Sequence, residues 1–133
     1  MFKQTFEVRD NEIDAQGVVN NANYFIYMAH TRHKFLHSIG VNFDDYAKNN
    51  QNLFLLSTQI NFKKALVAND NFYVTCEIVR EGKLKIAFEQ EVIRSSDEQL
   101  MAHARNIGVC VDGNNRNRPY IPEAFERVFC ASE

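Results

Sequence analysis

The chain has 133 residues, enough for one good hydrophobic core and too few for two ordinary enzyme domains. Hydrophobic residues make up 45% and charged residues 24%, which excludes the disordered and collagen-like classes. With 15 basic against 17 acidic residues, the formal charge of −2 argues against general nucleic-acid binding through a phosphate-neutralising face, so any anionic ligand must be met by a local patch.

A chain of this size hides about 68% of its unfolded surface on folding and needs neither disulfides nor a structural metal. Cys76, Cys110 and Cys130 form no CxxC and lie far apart, as expected of buried thiols in a reducing cytoplasm. The first residues, MFKQTFEVRD, carry no signal-peptide pattern, and no window is apolar enough to span a bilayer. The expectation is one cytoplasmic domain over residues 1–133.

Phe2, Phe6 and Val8 share one parity and Lys3, Thr5, Glu7 and Arg9 the other, which predicts a half-buried strand over 2–9. The following DNEIDAQGVVNN supplies turn chemistry around Gly17 and delivers the chain to a helix. From 20 to 38, Tyr24, Met28, Thr31 and Phe35 recur at helical spacing, and Gly40 reads as the stop. Residues 41–49 read as a short helical turn around Phe43 and Tyr46.

Strands follow. Phe54, Leu56, Thr58, Ile60 and Phe62 share a parity, as do Phe72, Val74, Cys76 and Ile78 in the next run. Leu84, Ile86, Phe88 and Val92 mark a fourth strand behind a hairpin turn at Glu81, Gly82 and Lys83. The fifth runs over 100–111, with Ala102, Ala104 and Gly108 making one face small, as expected where a helix approaches closely. Residues 112–119 read as a polar turn and the tail from Tyr120 as weakly structured.

One helix cannot form a bundle, so its apolar flanks must be covered by an antiparallel sheet twisted enough to curl around it. The expected fold is therefore α+β, with a five-stranded antiparallel sheet curled around one long central helix. The order strand, helix, four strands is that of the hotdog fold, although a cystatin-like domain has a similar rhythm.

The chemistry concentrates between Glu12 and Tyr24, where a carboxylate, a flexible turn and a helix start follow one another. A helix start presents unpaired N–H groups and partial positive charge, which suits a carbonyl oxygen that becomes anionic. Asp14 would then lie near the carbonyl carbon and the backbone of residues 20–22 near its oxygen. Without catalysis, Asp14 would simply close an Asx-turn, and Asn20 and Asn21 would cap the helix.

The run EIDAQGVVNNANYFIYMAHTRHKFL resembles the opening of the 4-hydroxybenzoyl-CoA thioesterase-like acyl-CoA thioesterases, at Asp14, Gly17, Asn20, Asn21, Tyr24 and Arg32. NFKKALVAND, residues 61–70, resembles the family's strand-end segment, and Ala29 departs from the Glu frequent there. The resemblance implies a homo-oligomeric hotdog enzyme, a homodimer or homotetramer, that hydrolyses an acyl-CoA thioester at a subunit interface without a cofactor. It implies that Asp14, three residues before Gly17, is catalytic as nucleophile or general base. It also implies that the backbone N–H of Asn21, four residues after Gly17, polarises the carbonyl.

Asn20, Tyr24, Ser57, Thr58, Lys63 and Lys64 are the candidate substrate-binding residues: the first two at the helix start, the next two on the flanking strand, the lysines at a strand end within reach of phosphate. His30, His33 and His37 recur at helical spacing, but no Glu sits between the last two in the HExxH manner, so a polar stripe is expected and no metal. Arg32 is expected to have a structural partner, an acidic residue of the first loop being the candidate. The competing readings are a non-catalytic acyl or lipid carrier and a hotdog hydratase, for which the first loop lacks the expected His.

Overall fold

The computed structural model describes residues 1–130; the last three residues of the expected domain lie outside them. Its strands are β1 (Phe2–Glu7), β2 (Gln51–Phe62), β3 (Asn71–Glu81), β4 (Lys85–Arg94), β5 (Gln99–Asp112) and β6 (Arg118–Tyr120). They form one antiparallel sheet in the order β1-β3-β4-β5-β2, with β6 paired to β5. The helices are α1 (Asn21–Ser38), α2 (Phe43–Lys48) and α3 (Glu123–Glu126).

The ends of α1 follow from local chemistry. Asn20 is its N-cap, with the side chain accepting from the Ala22 N–H at 2.9 Å. At the other end Gly40 takes φ +89°, its N–H donates to the His37 carbonyl, and the Val41 N–H donates to Leu36, the two bonds of a Schellman stop. The short helix expected near Phe43 and Tyr46 is α2, capped by Asn42.

Two apolar clusters seat α1 on the sheet. Tyr24, Tyr27 and Met28 of its first half pack with Phe72, Val74, Val92, Ala102 and Ala104. Phe35 and Leu36 of its second half pack with Cys76, Ile78, Ile86, Phe88 and Phe125. Ala102 and Ala104 lie in the cluster under the first half of α1, although the helix backbone comes closest to β3 and β1 rather than to β5. Gly108 differs: a Cβ there would meet the Phe54 carbonyl oxygen at 3.2 Å and Phe88 Cε1 at 3.5 Å, so the neighbours it spares are sheet residues.

The five expected strands form the main path, and three details depart from expectation. A β-bulge between Leu55 and Ser57 breaks the single parity of β2, so Leu53 and Leu55 share the inner face with Thr58, Ile60 and Phe62, while Phe54 does not. Leu84 belongs to the turn, because Glu81 already pairs with Lys85 around Gly82 at φ +61°. Finally, the segment read as a turn and weakly structured tail contains β6, which extends the ladder along β5 beyond the end of β4, and α3, held by the fully buried Phe125. Ile121, Ala124, Val128 and Phe129 pack beside Phe125 at helical spacing, a short pattern interrupted by Glu123, Glu126 and Arg127.

Candidate active site

Residues 13–19 form a tight loop closed by the Ile13–Val19 bridge and tied to the segment after β2 by the Val18–Val67 bridge. Gly17 sits at its tip with φ +81°, a conformation that L side chains rarely adopt. Asp14 is half-buried in this loop, and its Oδ1 accepts from the Gln16 N–H at 2.8 Å and the Val18 N–H at 3.4 Å. The Asx-turn is therefore real. It engages one carboxylate oxygen and holds Asp14 beside Val18.

Val18 is also a wall of a cavity of about 220 Å³ at the start of α1, which Asn21, Tyr24, Phe62, Lys63 and Lys64 line as well. The first-turn donors are distributed unevenly. Asn20 takes the Ala22 N–H with its side chain and the Asn23 N–H with its carbonyl. Among the described residues the Asn21 N–H, the first donor of α1, has no partner, and Asn21 is one of the residues that line the cavity.

The other candidates divide. The Tyr24 ring lines the cavity, but the residue is buried and its hydroxyl accepts from the Leu66 N–H at 3.1 Å, which ties the strand-end segment to the helix. Burial raises its pKa, and the Leu66 bond lowers it by less. Lys63 and Lys64 are exposed at the cavity mouth, with both backbone N–H groups donated to the Met101 carbonyl. Thr58 faces inward on β2 opposite Asn106, farther along the strand. Ser57 is not brought to the helix start: beyond the bulge it points to the outer face of the sheet, in a depression shared with Gln59, Glu81, Lys85 and Arg105.

Two polar clusters escaped the sequence reading. Glu12, two residues before Asp14, accepts from the Tyr27 hydroxyl at 2.8 Å and from the Arg9 N–H at 2.8 Å, fixing the entry of the loop. Burial and then the Glu12 bond raise the Tyr27 pKa. The second cluster corrects the expectation for Arg32, whose partner is not an acid of the first loop. Its Nη1 donates at 3.0 Å to Gln90 Oε1, which also accepts from Asn106 Nδ2 at 2.9 Å, while Gln90 Nε2 donates to the Met28 carbonyl. Gln90 and Asn106 are buried on inner-face positions of β4 and β5, and a polar residue at a core parity was the available signal.

His33 packs its ring on Phe43, with centroids 4.6 Å apart, and burial, then Arg32 and His30, hold its pKa below the usual value. Among the described residues, no three His, Cys, Asp or Glu side chains gather as a metal site, and no helix is long and apolar enough to cross a membrane. Cys76 and Cys110 are buried thiols, both pushed up to about 12 by burial, whereas Cys130 is exposed.

An antiparallel sheet wrapped on one long helix, whose capped start opens on a small cavity, defines a hotdog-type α+β domain. The chain belongs to the Thioesterase-like superfamily, whose family model matches residues 8–129. It is 35% identical over 124 residues, 92% of its length, to the acyl-acyl carrier protein thioesterase ATL3, chloroplastic, of Arabidopsis thaliana. The chain spans less than two thirds of the curated relatives it matches, 64% in the case of ATL3. A hypothetical protein from Aquifex aeolicus superposes with a TM-score of 0.85 at 26% identity, covering 98% of this chain and 100% of that one. A 1,4-dihydroxy-2-naphthoyl-CoA thioesterase from Synechocystis also superposes at 0.85, over 94% of this chain and 92% of its own; at 18% identity that likeness concerns the fold alone.

Proposed function

We propose that this chain hydrolyses an acyl thioester, with Asp14 driving attack on the carbonyl carbon and the Asn21 N–H receiving the oxygen as it becomes anionic. The observation that carries this reading is the unpartnered first-turn N–H of Asn21, a residue that lines a cavity beside the loop that holds Asp14. As nucleophile, the Asp14 carboxylate forms a mixed anhydride and expels the thiolate, and water then cleaves the anhydride. As general base, it takes a proton from water, whose oxygen attacks the carbonyl carbon directly. In either route the leaving thiol, with a pKa of about 8.5, departs without a strong acid. One carboxylate and one oxyanion donor are then sufficient, the donor alone being worth about 2.7–4 kcal/mol in a comparable site.

The thiol carrier is coenzyme A or an acyl carrier protein, the two carriers named for the relatives. Both present a phosphate, and Lys63 and Lys64 place two positive charges at the cavity mouth to meet it. A thiol-release assay over acyl-CoA and acyl-carrier-protein substrates of graded length is expected to detect turnover. Acyl binding without thiol release would make the chain a carrier, and water addition to an enoyl thioester would make it a hydratase.

We infer that the working form is at least a dimer formed along β2. This strand pairs with β5 on one side only, contains no charged residue, and leaves Phe54, Leu55 and Leu56 each about half exposed (52%, 51% and 52%). A long, apolar, uncharged edge is stable in water when another strand covers it. Light scattering at micromolar concentration is expected to give at least twice the chain mass, and Leu55→Lys to give the monomer with lower turnover. A monomeric wild-type protein with full activity would contradict the inference.

A further inference from the structure

We propose that Glu12 and Tyr27 are positioning residues of this site: their hydrogen bond fixes the loop arm that carries Asp14 against the start of α1. The inference rests on the thioesterase reading for its effect on turnover, and on separate observations for its geometry.

Asp14 and the Asn21 N–H belong to different pieces of chain, the loop and the helix. The Asp14 carboxylate is bonded only within the loop, to the Gln16 and Val18 N–H groups, and the Asp14 N–H donates to the Val18 carbonyl at 2.8 Å. These bonds aim the carboxylate relative to the loop. They do nothing to hold the loop on the helix.

The two arms of the loop are held separately. The arm after Gly17 is tied through the strand-end segment: the Val19 N–H donates to the Leu66 carbonyl at 2.9 Å, and the Leu66 N–H donates to the Tyr24 hydroxyl. The arm of residues 9–14 is tied through Glu12. Among the described residues, every hydrogen bond from that arm to the helix or its cap ends on Glu12. Its carbonyl accepts from the Asn20 N–H at 2.9 Å and from Asn23 Nδ2 at 3.2 Å, and its Oε1 accepts from the Tyr27 hydroxyl at 2.8 Å. The same Oε1 takes the Arg9 N–H, which closes the turn of residues 10–12 on one atom.

Tyr27 is a fixed end for this tie. It is 3% exposed, and its ring packs on those of Phe6 and Phe72, with centroids 5.3 and 4.8 Å away. A ring wedged in this way leaves its hydroxyl little freedom. Burial, and then Glu12, raise the pKa, so the hydroxyl stays a donor at neutral pH. Stability alone gives the bond a small role, because the ring packs without its hydroxyl and one hydrogen bond adds little to folding. Turnover gives it a larger one, since misplacing a reacting group by about 1 Å can cost about 10²-fold in rate.

The test measures kcat and KM by thiol release for Tyr27→Phe, Glu12→Ala, Glu12→Gln and the double variant Tyr27→Phe/Glu12→Ala. Tyr27→Phe and Glu12→Ala are each expected to lower kcat by about 10- to 100-fold, with KM within about twofold of wild type. The double variant should be no slower than the slower single one, as for two ends of one interaction. Glu12→Gln should keep most of the activity, because an amide oxygen still accepts both donors. Tyr73→Phe is the control: it removes a tyrosine-to-glutamate bond of the same 2.8 Å length, to Glu98, and should leave kcat unchanged.

Amide hydrogen exchange adds a reading that needs no turnover. In Tyr27→Phe the Asp14 and Asn20 amides are expected to exchange about 10-fold faster or more, while those of β3, β4 and β5 keep their rates. Wild-type kcat in both single variants, a double loss equal to the product of the single ones, or a loss in Glu12→Gln as large as in Glu12→Ala would each overturn the proposal. So would faster exchange spread evenly over the sheet, the mark of general destabilisation. Should Tyr27→Phe not fold, Glu12→Ala carries the same two readings. Absence of hydrolysis with every thioester would sink the thioesterase reading alone, and the exchange rates would still decide whether Tyr27 holds the Asp14 arm.

Discussion

Replacing Asp14 by Asn is expected to lower kcat for thioester hydrolysis by about 10²- to 10⁴-fold, the range typical of a positioned acid–base group, while leaving the melting temperature nearly unchanged. The two halves of this result have different physical origins. The Asx-turn needs only an acceptor oxygen, and the Asn side-chain carbonyl still receives the Gln16 and Val18 N–H groups. The chemistry needs the negative charge, either to attack carbon or to take a proton, and an amide supplies neither. Asp14→Ala is a less informative variant, because it removes the turn together with the charge. Full activity in Asp14→Asn, measured by thiol release on the best substrate, would take Asp14 out of its assigned role.

The largest effect on stability is expected from Gln90→Leu. Leu is close to Gln in size, so the change removes hydrogen bonds without opening a large cavity. Gln90 is the hub between the helix and the sheet: it accepts from Arg32 and Asn106 and donates to the Met28 carbonyl. Its loss strands the buried Asn106 amide and leaves the Arg32 charge without its only described acceptor. Uncompensated groups of this kind cost about 1–3 kcal/mol each, more when charged, so a loss of about 3 kcal/mol is expected. For a chain of this size that is a fall of about 10 °C in melting temperature. Thermal and urea unfolding check it, and a change below about 1 kcal/mol would show that the apolar clusters alone seat the helix.

The parts legible in the sequence are those set by neighbours along the chain. Asn20 caps its own helix and Gly40 ends it, because both act through backbone groups within a few residues. The loop from Asp14 to Gly17 was readable for the same reason. Strand alternation located β1 and β3, and failed within β2 only where the bulge at Leu55/Ser57 turned Ser57 away from the helix. An inserted residue of that kind leaves no mark on composition. Arg32 marks the opposite limit. Its partner Gln90 lies 58 residues away, and the acid expected to meet it, in the loop before the helix, has Glu12 bonded to Tyr27 instead.

By itself the amino-acid order determined an α+β domain with a capped helix start behind a carboxylate loop, since period, capping and turn chemistry are local properties of the backbone. Only the tertiary structure decided which polar groups face each other across the core. It left the Asn21 N–H without a partner at a residue that lines a cavity and set the Arg32 guanidinium against the Gln90 amide, because both facts depend on what packing brings near and what it leaves uncovered.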